Sequence, residues 1–500
     1  MKVEIMDTTL RDGEQTAGVG YTAAEKLNLA KILLDEVKVD RLEIASARIS
    51  DGEYDAVQRI TEWATQKGYI NQIEILGFVD GGKSLDWIKN AGGKVINLLT
   101  KGSLNHLEGQ LRKTPDEHIK DILAAVESAT AMGISTNVYL EDWSNGMTNS
   151  EDYVFYLLEG LKDSNIKRFM LPDTLGILNP DTITDFLTKV KAKYPDLHFD
   201  SHLHNDYDLA IGNTYAAIKN GVNGIHVTVN GLGERTGNTP LASLMGLKDH
   251  LDFECNVDEK KLNKISRMVE VFSGISIPAN KPLVGESVFT QACGVHADGD
   301  EKGNLYRNKL EPERFGRRME YALGKTSGKA SVKKNLEDLG IELSPENMKK
   351  VTERVVELGD KKSIITKDDL PYIVSDVIGE TVEVDKVKIL NYYSTHVYKL
   401  KPVTTLKIEI DGVAYEEAAT GDGQYDAFMK ALFNIYERLG KVLPKLMNYK
   451  ITIPPGGRTD ALVETIITWD DGTKEFKTRG LESDQQAAAI MATVKMLNRI

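Results

Sequence analysis

The sequence predicts a (β/α)8 TIM barrel, followed by a helical linker region and a C-terminal α+β domain of two pseudo-symmetric repeats. Three observations support this fold class. Eight β-rich runs alternate with helical patterns over residues 1 to about 250, polar residues follow several of those runs, and a segment near the end recurs after 57 to 60 residues. A chain of 500 residues is too long for one core, so we expect two or three domains.

The first eight units fit a closed parallel barrel. The predicted strands are residues 3–6, 41–45, 72–78, 95–100, 136–140, 168–171, 198–202 and 224–229. Helical patterns separate them, such as 23–30, where Thr22 stands as an N-cap before apolar residues at helical spacing. A doubly wound open sheet is the competing topology. Even spacing and polar residues at strand ends favour the barrel, which we assign to residues 1–270.

The alternation stops after the eighth unit. Residues 271–385 contain glycine-rich stretches and basic pieces, which indicate an extended linker with small helices, or linker and lid subdomains. Residues 386–500 then carry the repeat: Ile408 to Gly412 recur at 467–472, and Asn391-Tyr392 recurs at 448–449. Each copy is interpreted as two strands, a glycine-containing turn and an amphipathic helix (425–439 and 483–497). Two copies predict a pseudo-symmetric α+β module with a cleft between them that suits a small ligand.

The composition limits the classes of partner that the protein is expected to bind. The formal net charge is -13 and the pI is near 5.4, which argues against nucleic acid or an anionic membrane as the main partner. The N-terminus lacks the features of a signal peptide, and no apolar run approaches the roughly 18 residues of a membrane span. Cys255 and Cys293 form no C-x-x-C pair. We expect a cytoplasmic protein that acts on small molecules.

Polar residues at three predicted strand ends indicate a metal site. His202 and His204 are two apart on one strand, so both side chains point to one face. Alone this pair is a weak signal, but Asp12 and Asn238 follow the first and eighth strands, and the ends of parallel barrel strands meet at one mouth. Two imidazoles with two oxygens suit a divalent cation: Mn, Zn, Co or Mg. Two octahedral positions would remain for an α-keto acid.

Three further residues at the mouth have competing interpretations. Arg11, beside Asp12, could donate to an oxygen that gains negative charge, or could be an ordinary ion-pairing arginine. Glu141 ends the fifth strand and could be a general base, or a capping or ion-paired carboxylate. Thr174 ends the sixth and could donate to a substrate carboxylate, with an ordinary turn residue almost as plausible. The glycine-rich segments 231–237 and 324–329 fail the spacing of dinucleotide and P-loops.

Four motifs, at 7–15, 202–206, 233–238 and 294–299, resemble those of the α-isopropylmalate synthase, homocitrate synthase and citramalate synthase family. The resemblance covers essentially the whole chain, and the C-terminal repeats resemble that family's amino-acid-sensing domain. It implies a Claisen condensation in which acetyl-CoA, the co-substrate, adds through its methyl carbon to an α-keto acid before the thioester is hydrolysed. A lyase running C–C cleavage and a non-catalytic amino-acid sensor are the alternatives from other classes.

The resemblance also implies residue roles. Arg11 would act on the keto oxygen, and His296 would work with Glu141 and Tyr306 in the proton transfers. The His296 segment would reach the partner's barrel in a domain-swapped homodimer. The metal ligands would be Asp12, His202, His204 and Asn238, and the acetyl-CoA side would be lined by Asp298, Asn304 and Leu305.

Leu76, Leu99 and Tyr139 should line the keto-acid pocket. Family members that take 2-ketoisovalerate tend to have smaller or more polar residues at the last two positions, so the pattern favours pyruvate and the citramalate synthase branch. The product would be (R)-citramalate on the pyruvate route to isoleucine, with 2-isopropylmalate synthase of leucine biosynthesis as the alternative. Homocitrate synthase is disfavoured because these three positions offer no cation for a second carboxylate.

We expect the repeats to bind a feedback effector, which would be isoleucine if the product feeds isoleucine synthesis and leucine otherwise. A mixed aliphatic and aromatic set at the repeat interface suits a branched-chain amino acid, although each residue could equally be plain core. The candidate effector residues are Tyr425, Asp426, Leu446, Tyr449, Ile453, Thr459 and Val463.

Overall fold

Eight parallel strands close into a barrel in the computed structural model, which describes residues 1–303, 305–360, 365–378, 386–395, 399–452, 463–473 and 475–499. The strand β1 pairs with both its sequence neighbour and the eighth strand, which confirms the predicted barrel. The observed strands lie within a few residues of the predicted ones. They are β1 (Glu4–Asp7), β2 (Arg41–Ser46), β3 (Ile73–Phe78), β4 (Val95–Lys101), β5 (Ser135–Glu141), β6 (Ile166–Asp173), β7 (Phe199–Leu203) and β8 (Gly224–Val227).

Helices cover the outside of the barrel and begin at well-defined caps. Thr22 accepts a hydrogen bond from the backbone of Glu25, whose carboxylate accepts from the backbone of Thr22, so the expected cap is a capping box. The helices are α1 (Ala23–Lys31), α2 (Asp51–Lys67), α3 (Lys83–Asn90), α4 (Leu104–His106), α5 (Pro115–Ala131), α6 (Trp143–Asn149), α7 (Glu151–Leu161), α8 (Pro180–Lys193), α9 (Ala210–Lys219), α10 (Leu241–Gly246) and α11 (Leu262–Ser273).

The barrel interior contains charged side chains as well as apolar ones. Arg41 of β2 is 4% exposed and forms ion pairs with Glu74 of β3 and Asp200 of β7. A buried guanidinium is tolerated when its charge is paired and its donors are used. On the outer side, the strands pack apolar residues such as Ile44, Ile75 and Val138 into the core shared with the helices.

The chain divides into two compact units, Met1–Thr290 with Arg307–Met319, and Gln291–Tyr306 with Glu320–Ile500. The short strands β9 (Thr290–Gln291) and β10 (Glu320–Tyr321) pair with each other. The second unit begins with the helices α12 (Gly294–Glu301), α13 (Lys329–Glu337), α14 (Pro345–Asp360) and α15 (Leu370–Ile378). The last three share an apolar core that includes Val332, Val351 and Val374, so this segment is a packed helical body as well as a linker.

The repeat contains one strand more per copy than the sequence interpretation gave. Within the described residues each copy has three antiparallel strands and a helix, because the strand carrying the Asn-Tyr pair joins each sheet. The first copy is β11 (Val387–Thr395), β12 (Val403–Ile410), β13 (Val413–Thr420) and α16 (Gln424–Arg438). The second is β14 (Lys445–Thr452), β15 (Val463–Asp470), β16 (Glu475–Glu482) and α17 (Gln485–Leu497). Helices and sheets share one core that includes Phe428 and Trp469.

The helices of the described ranges include none that is both long enough and apolar enough to cross a lipid bilayer.

Candidate metal centre

Three of the four predicted metal ligands converge at the mouth of the barrel. Asp12 follows β1, His202 lies on β7 and His204 immediately follows it. The Oδ2 atom of Asp12 lies 3.0 Å from Nε2 of His202 and 3.8 Å from Nε2 of His204, and the two imidazole nitrogens are 3.3 Å apart. All three residues are buried, and their ligand atoms lie within 4.8 Å of one another, close enough to share an ion.

Asn238 joins the group through the backbone. It pairs with His204 in an isolated antiparallel bridge, and its buried Oδ1 atom has no hydrogen-bond partner among the described atoms. Gly237, at a φ of +81°, permits this approach, because a Cβ there would lie 1.8 Å from the carbonyl oxygen of Gly231. A buried, unpaired amide oxygen on a residue whose backbone pairs with His204 fits the divalent-cation ligand set predicted from sequence.

The electrostatics favour an ionised carboxylate at this centre. Burial alone would raise the pKa of Asp12, but the adjacent Arg11 and His202 together hold that pKa well below its usual range. Burial and the neighbouring His202 lower the pKa of His204 to about 4. A carboxylate with neutral imidazole is the protonation state in which these side chains bind a metal.

Glu43 of β2 fixes Arg11 and was missed by the sequence interpretation. The Nε atom of Arg11 donates to Oε2 of Glu43 at 2.6 Å, and Nη2 lies 3.4 Å from the hydroxyl of Tyr139. Glu43 is fully buried and also accepts from the amide of Asn97 at 2.7 Å. A charged residue inside an apolar strand was the available signal, since a buried carboxylate requires a cationic partner.

His226 of β8 was also missed, although it too is a polar residue within an apolar strand. Its Nδ1 atom lies 3.1 Å from the Tyr139 hydroxyl and 3.3 Å from Nδ1 of His202, and its Nε2 atom lies 3.2 Å from Oδ2 of Asp200. It is 1% exposed, and burial lowers its pKa to about 3. His226 therefore lies directly behind the candidate metal ligand.

The predicted pocket residues lie together. Leu76, Leu99 and Tyr139 belong to one apolar cluster, which also contains Met6 of β1 and Met170 of β6. Leu99 and Tyr139 are paired across β4 and β5. The cluster gives the barrel interior an apolar patch within reach of Arg11, which contacts the Tyr139 hydroxyl.

Glu141 and Thr174 make contacts that match their structural interpretations. Glu141 forms an ion pair with Lys101 at the end of β4, a partner that the sequence interpretation did not identify. The Thr174 hydroxyl accepts from the backbone of Asp142 at 2.9 Å, and its carbonyl accepts from Arg235 at 2.7 Å. Their roles as a base and a carboxylate donor remain predictions.

The second unit contains the other predicted catalytic residues. The rings of His296 on α12 and Tyr306 lie 4.2 Å apart, and their role in the proton transfers remains a prediction. Asp298 pairs with Lys302 at 2.6 Å, and Leu305 is exposed. Asn304 lies outside the described residues. Because Glu141 belongs to the first unit, its joint role with His296 stays a prediction.

The candidate effector residues are brought together only in part. Tyr425 of α16 and Tyr449 of β14 stack with ring centroids 5.3 Å apart, and the Tyr425 hydroxyl bonds Thr493 of α17 at 2.7 Å. Asp426 instead pairs with Lys430 at 2.7 Å on the helix surface. Leu446 is exposed, Val463 is buried, and Ile453 and Thr459 lie outside the described residues.

Fold and site together define a class of barrel enzymes with an Asp-His-His centre at the strand ends. Family profiles agree over nearly the whole chain: HMGL-like over residues 2–269, homocitrate synthase post-HMGL domain-like over 283–363, and LeuA allosteric (dimerisation) domain over 364–500. Since the HMGL-like profile covers more than half of the sequence, the chain belongs to the HMGL-like family and, with its two further domains, to its 2-isopropylmalate synthase and citramalate synthase group.

Full-length relatives carry both names. The chain is 34% identical to a probable 2-isopropylmalate synthase of Methanopyrus kandleri, with 100% of this chain and 98% of the relative covered. It is 33% identical to the (R)-citramalate synthase of Methanocaldococcus jannaschii, with complete coverage of both. The 2-isopropylmalate synthase of the latter organism is 31% identical, with 100% of this chain and 95% of the relative covered. These relatives support a transferase-type synthase and leave its keto acid open.

Proposed function

We propose that the chain condenses acetyl-CoA with pyruvate to form (R)-citramalate and CoA. The observation that supports it is the apolar cluster of Leu76, Leu99 and Tyr139, whose buried tyrosine ring would meet the side chain of a larger keto acid. Forcing an additional group against a packed ring typically costs about 1–3 kcal/mol. Pyruvate, with only a methyl group, avoids that cost.

Asp12, His202, His204 and Asn238 would hold the divalent cation. When bound, the cation would polarise the keto carbonyl as a Lewis acid. The donor set, the short distances among the carboxylate and imidazoles, and the unpaired Asn238 oxygen support this assignment.

Arg11 would stabilise the oxygen on which negative charge develops. The Glu43 carboxylate orients its guanidinium, and the Glu43 and Asp12 charges outweigh burial to raise the pKa of Arg11, so the donor stays charged. Glu141, His296 and Tyr306 would move the protons, and Thr174 would hold the substrate carboxylate. Asp298, Asn304 and Leu305 would line the acetyl-CoA side of a domain-swapped homodimer.

The C-terminal repeats would bind the feedback effector. The LeuA allosteric (dimerisation) profile over residues 364–500 supports a homodimer with allosteric regulation. We propose isoleucine as the effector, or leucine if the enzyme takes 2-ketoisovalerate. Tyr425 and Tyr449, one from each repeat, are the described candidates whose side chains meet.

Steady-state release of CoA with pyruvate and with 2-ketoisovalerate tests the proposal. We expect kcat/KM to favour pyruvate by roughly 5- to 150-fold, which corresponds to the ~1–3 kcal/mol of overpacking. A preference for 2-ketoisovalerate would overturn the assignment and favour 2-isopropylmalate synthase, the name of the Methanopyrus kandleri relative. Tyr139→Ser should gain activity on the larger acid, whereas Tyr156→Ser, an exposed tyrosine on α7, should not.

A further inference from the structure

Three neighbours converge on the imidazole of His226, which lies on β8 beneath the barrel mouth. Its Nε2 atom faces Oδ2 of Asp200 at 3.2 Å. Its Nδ1 atom faces two groups at once, the Tyr139 hydroxyl at 3.1 Å and Nδ1 of His202 at 3.3 Å. One ring nitrogen thus contacts both a pocket residue and a candidate metal ligand.

The hydrogen-bond roles follow from Asp200. This buried carboxylate forms an ion pair with Arg41 and can only accept, so Nε2 of His226 carries the proton and donates to it. The Nδ1 atom of a neutral imidazole is then an acceptor. Its single lone pair faces two possible donors, the Tyr139 hydroxyl and the Nδ1–H group of His202, which can share it as a three-centre hydrogen bond. With its proton on Nδ1, His202 would direct the Nε2 lone pair toward the cation that Asp12 and His204 would also hold.

The Tyr139 ring is held on several sides. It meets the His202 and His226 rings edge to face, with centroids 5.8 and 5.6 Å away and interplanar angles of 85° and 84°. Its hydroxyl also lies 3.4 Å from both Oε2 of Glu43 and Nη2 of Arg11. A ring held by its hydroxyl cannot swing aside to admit a larger side chain, whereas a ring of equal volume without the hydroxyl has more freedom.

We propose that His226 is a positioning residue that couples keto-acid selectivity to metal binding by accepting from both Tyr139 and His202. The selectivity half rests on the proposed function, and the metal half does not. Nδ1 of His226 contacts both the Tyr139 hydroxyl and the His202 imidazole, and His226 is itself held by Asp200, which pairs with Arg41. Selectivity therefore depends on where the Tyr139 hydroxyl is bound as well as on the bulk of the ring.

Two substitutions at His226 separate its two nitrogens. Asn reaches the position of Nδ1 and keeps a partner for Tyr139 and His202, whereas Gln reaches the position of Nε2 and keeps only the Asp200 contact. Tyr139→Phe removes the hydroxyl and keeps the ring. His198→Gln is the matched control, because Nε2 of His198 lies 2.8 Å from Oδ1, the other oxygen of Asp200, and its further charged neighbour among the described residues is Glu4.

The experiment uses the full-length chain and two readouts. Mn²⁺ affinity is titrated calorimetrically after chelator treatment, and the ratio of kcat/KM for pyruvate to that for 2-ketoisovalerate is measured by CoA release. We expect His226→Gln to weaken Mn²⁺ binding by about 10- to 100-fold and to shift the ratio about fivefold toward the larger acid. His226→Asn should remain closer to the wild type in both readouts, and His198→Gln should match it.

Tyr139→Phe should shift the ratio by a similar factor while leaving Mn²⁺ affinity unchanged. In the Tyr139→Phe background, His226→Gln should still weaken Mn²⁺ binding but should not move the ratio further, since the hydroxyl through which it acts is gone. An unchanged ratio in Tyr139→Phe overturns the selectivity half even if His226→Gln does not fold. The metal half is overturned if a folded His226→Gln binds Mn²⁺ as tightly as His198→Gln does.

These outcomes are distinguishable from failure of the proposed function. If the wild type prefers 2-ketoisovalerate, the pyruvate assignment is contradicted. If Tyr139→Phe nevertheless changes the ratio of kcat/KM values for the two acids, the role of the hydroxyl is supported. A wild-type preference for pyruvate with an unmoved ratio in every variant supports the assignment and contradicts the coupling.

Discussion

The barrel mouth and the C-terminal repeats place their candidate functional residues in different ways. At the mouth, Asp12, His202 and His204 come from distant parts of the sequence and are buried within 4.8 Å of one another. In the repeats, Tyr425 and Tyr449 stack, but Asp426 is half-buried and pairs with Lys430, and Leu446 is exposed. Parallel strand ends impose convergence, while a repeated sequence imposes only equivalent positions in two copies. We therefore expect substitutions at the barrel mouth to have larger effects than substitutions in the repeats.

The largest expected effect is that of Asp12→Asn, which removes the charge around which Arg11 and the imidazoles are arranged. Outer-shell partners of metal ligands already contribute about 10- to 100-fold to affinity. We expect a loss of at least about 100-fold in Mn²⁺ affinity and in kcat/KM. Calorimetric titration and CoA release measure both. Asp80→Asn, beside Arg48 at 2.7 Å, is the control, and an equal loss there would remove the special role of Asp12.

Glu43→Gln tests the support of Arg11. Removing one partner of a buried ion pair costs about 3–5 kcal/mol, because the other charge is left without compensation. We expect the free energy of unfolding of the barrel to fall by about that amount, and kcat/KM to fall further than stability alone explains. Denaturant unfolding and steady-state kinetics check these results. A variant with normal kinetics would show that Arg11 does not depend on Glu43.

Trp469→Ala tests the other side of the comparison. This fully buried side chain belongs to the core of the repeats, and its indole nitrogen donates to Thr478 at 2.8 Å. Truncating a buried tryptophan costs about 3–5 kcal/mol. We expect calorimetry to show a lower unfolding temperature for the second unit and an unchanged Mn²⁺ affinity. Weaker Mn²⁺ binding would contradict the independence of the metal centre from that core.

The sequence predicts the barrel, its strands and its ligand residues because their signals are local. Strand and helix periodicity, the pair His202 and His204, and the position of Asp12 after β1 can all be read within short segments. Glu43 and His226 could not be assigned partners, since their contacts join residues that lie 24 or more positions apart in sequence. The first strand of each repeat, β11 and β14, was missed because the Asn-Tyr pair was recognised as part of the repeat but was not assigned to a strand.

The smallest expected effect concerns pH and the second unit. Asp369, next to α15, forms an ion pair with Lys495 of α17; burial alone would raise the pKa of Asp369, but Lys495 and the Thr366 backbone lower it. A carboxyl whose folded pKa is depressed stabilises the fold above its unfolded pKa of about 4, and this contribution is lost as pH falls through the folded value. Asp369→Asn should therefore cost about 1 kcal/mol at pH 7, and the difference from the wild type should vanish in acid.

Urea unfolding at several pH values measures this difference. Asp338→Asn is the matched control, because Asp338 pairs with Lys367 at 2.5 Å but is 68% exposed, so its substitution should change stability little. A difference between Asp369→Asn and the wild type that persists at low pH would assign the effect to packing and not to charge.

The central claim is that Asp12, His202, His204 and Asn238 bind one divalent cation, and X-ray absorption spectroscopy of the Co²⁺-loaded full-length chain tests it most directly. The account predicts one Co²⁺ per chain, with two imidazoles and otherwise oxygen ligands, and the loss of one imidazole in His204→Ala. A shell without imidazole, or one containing sulfur, would contradict it.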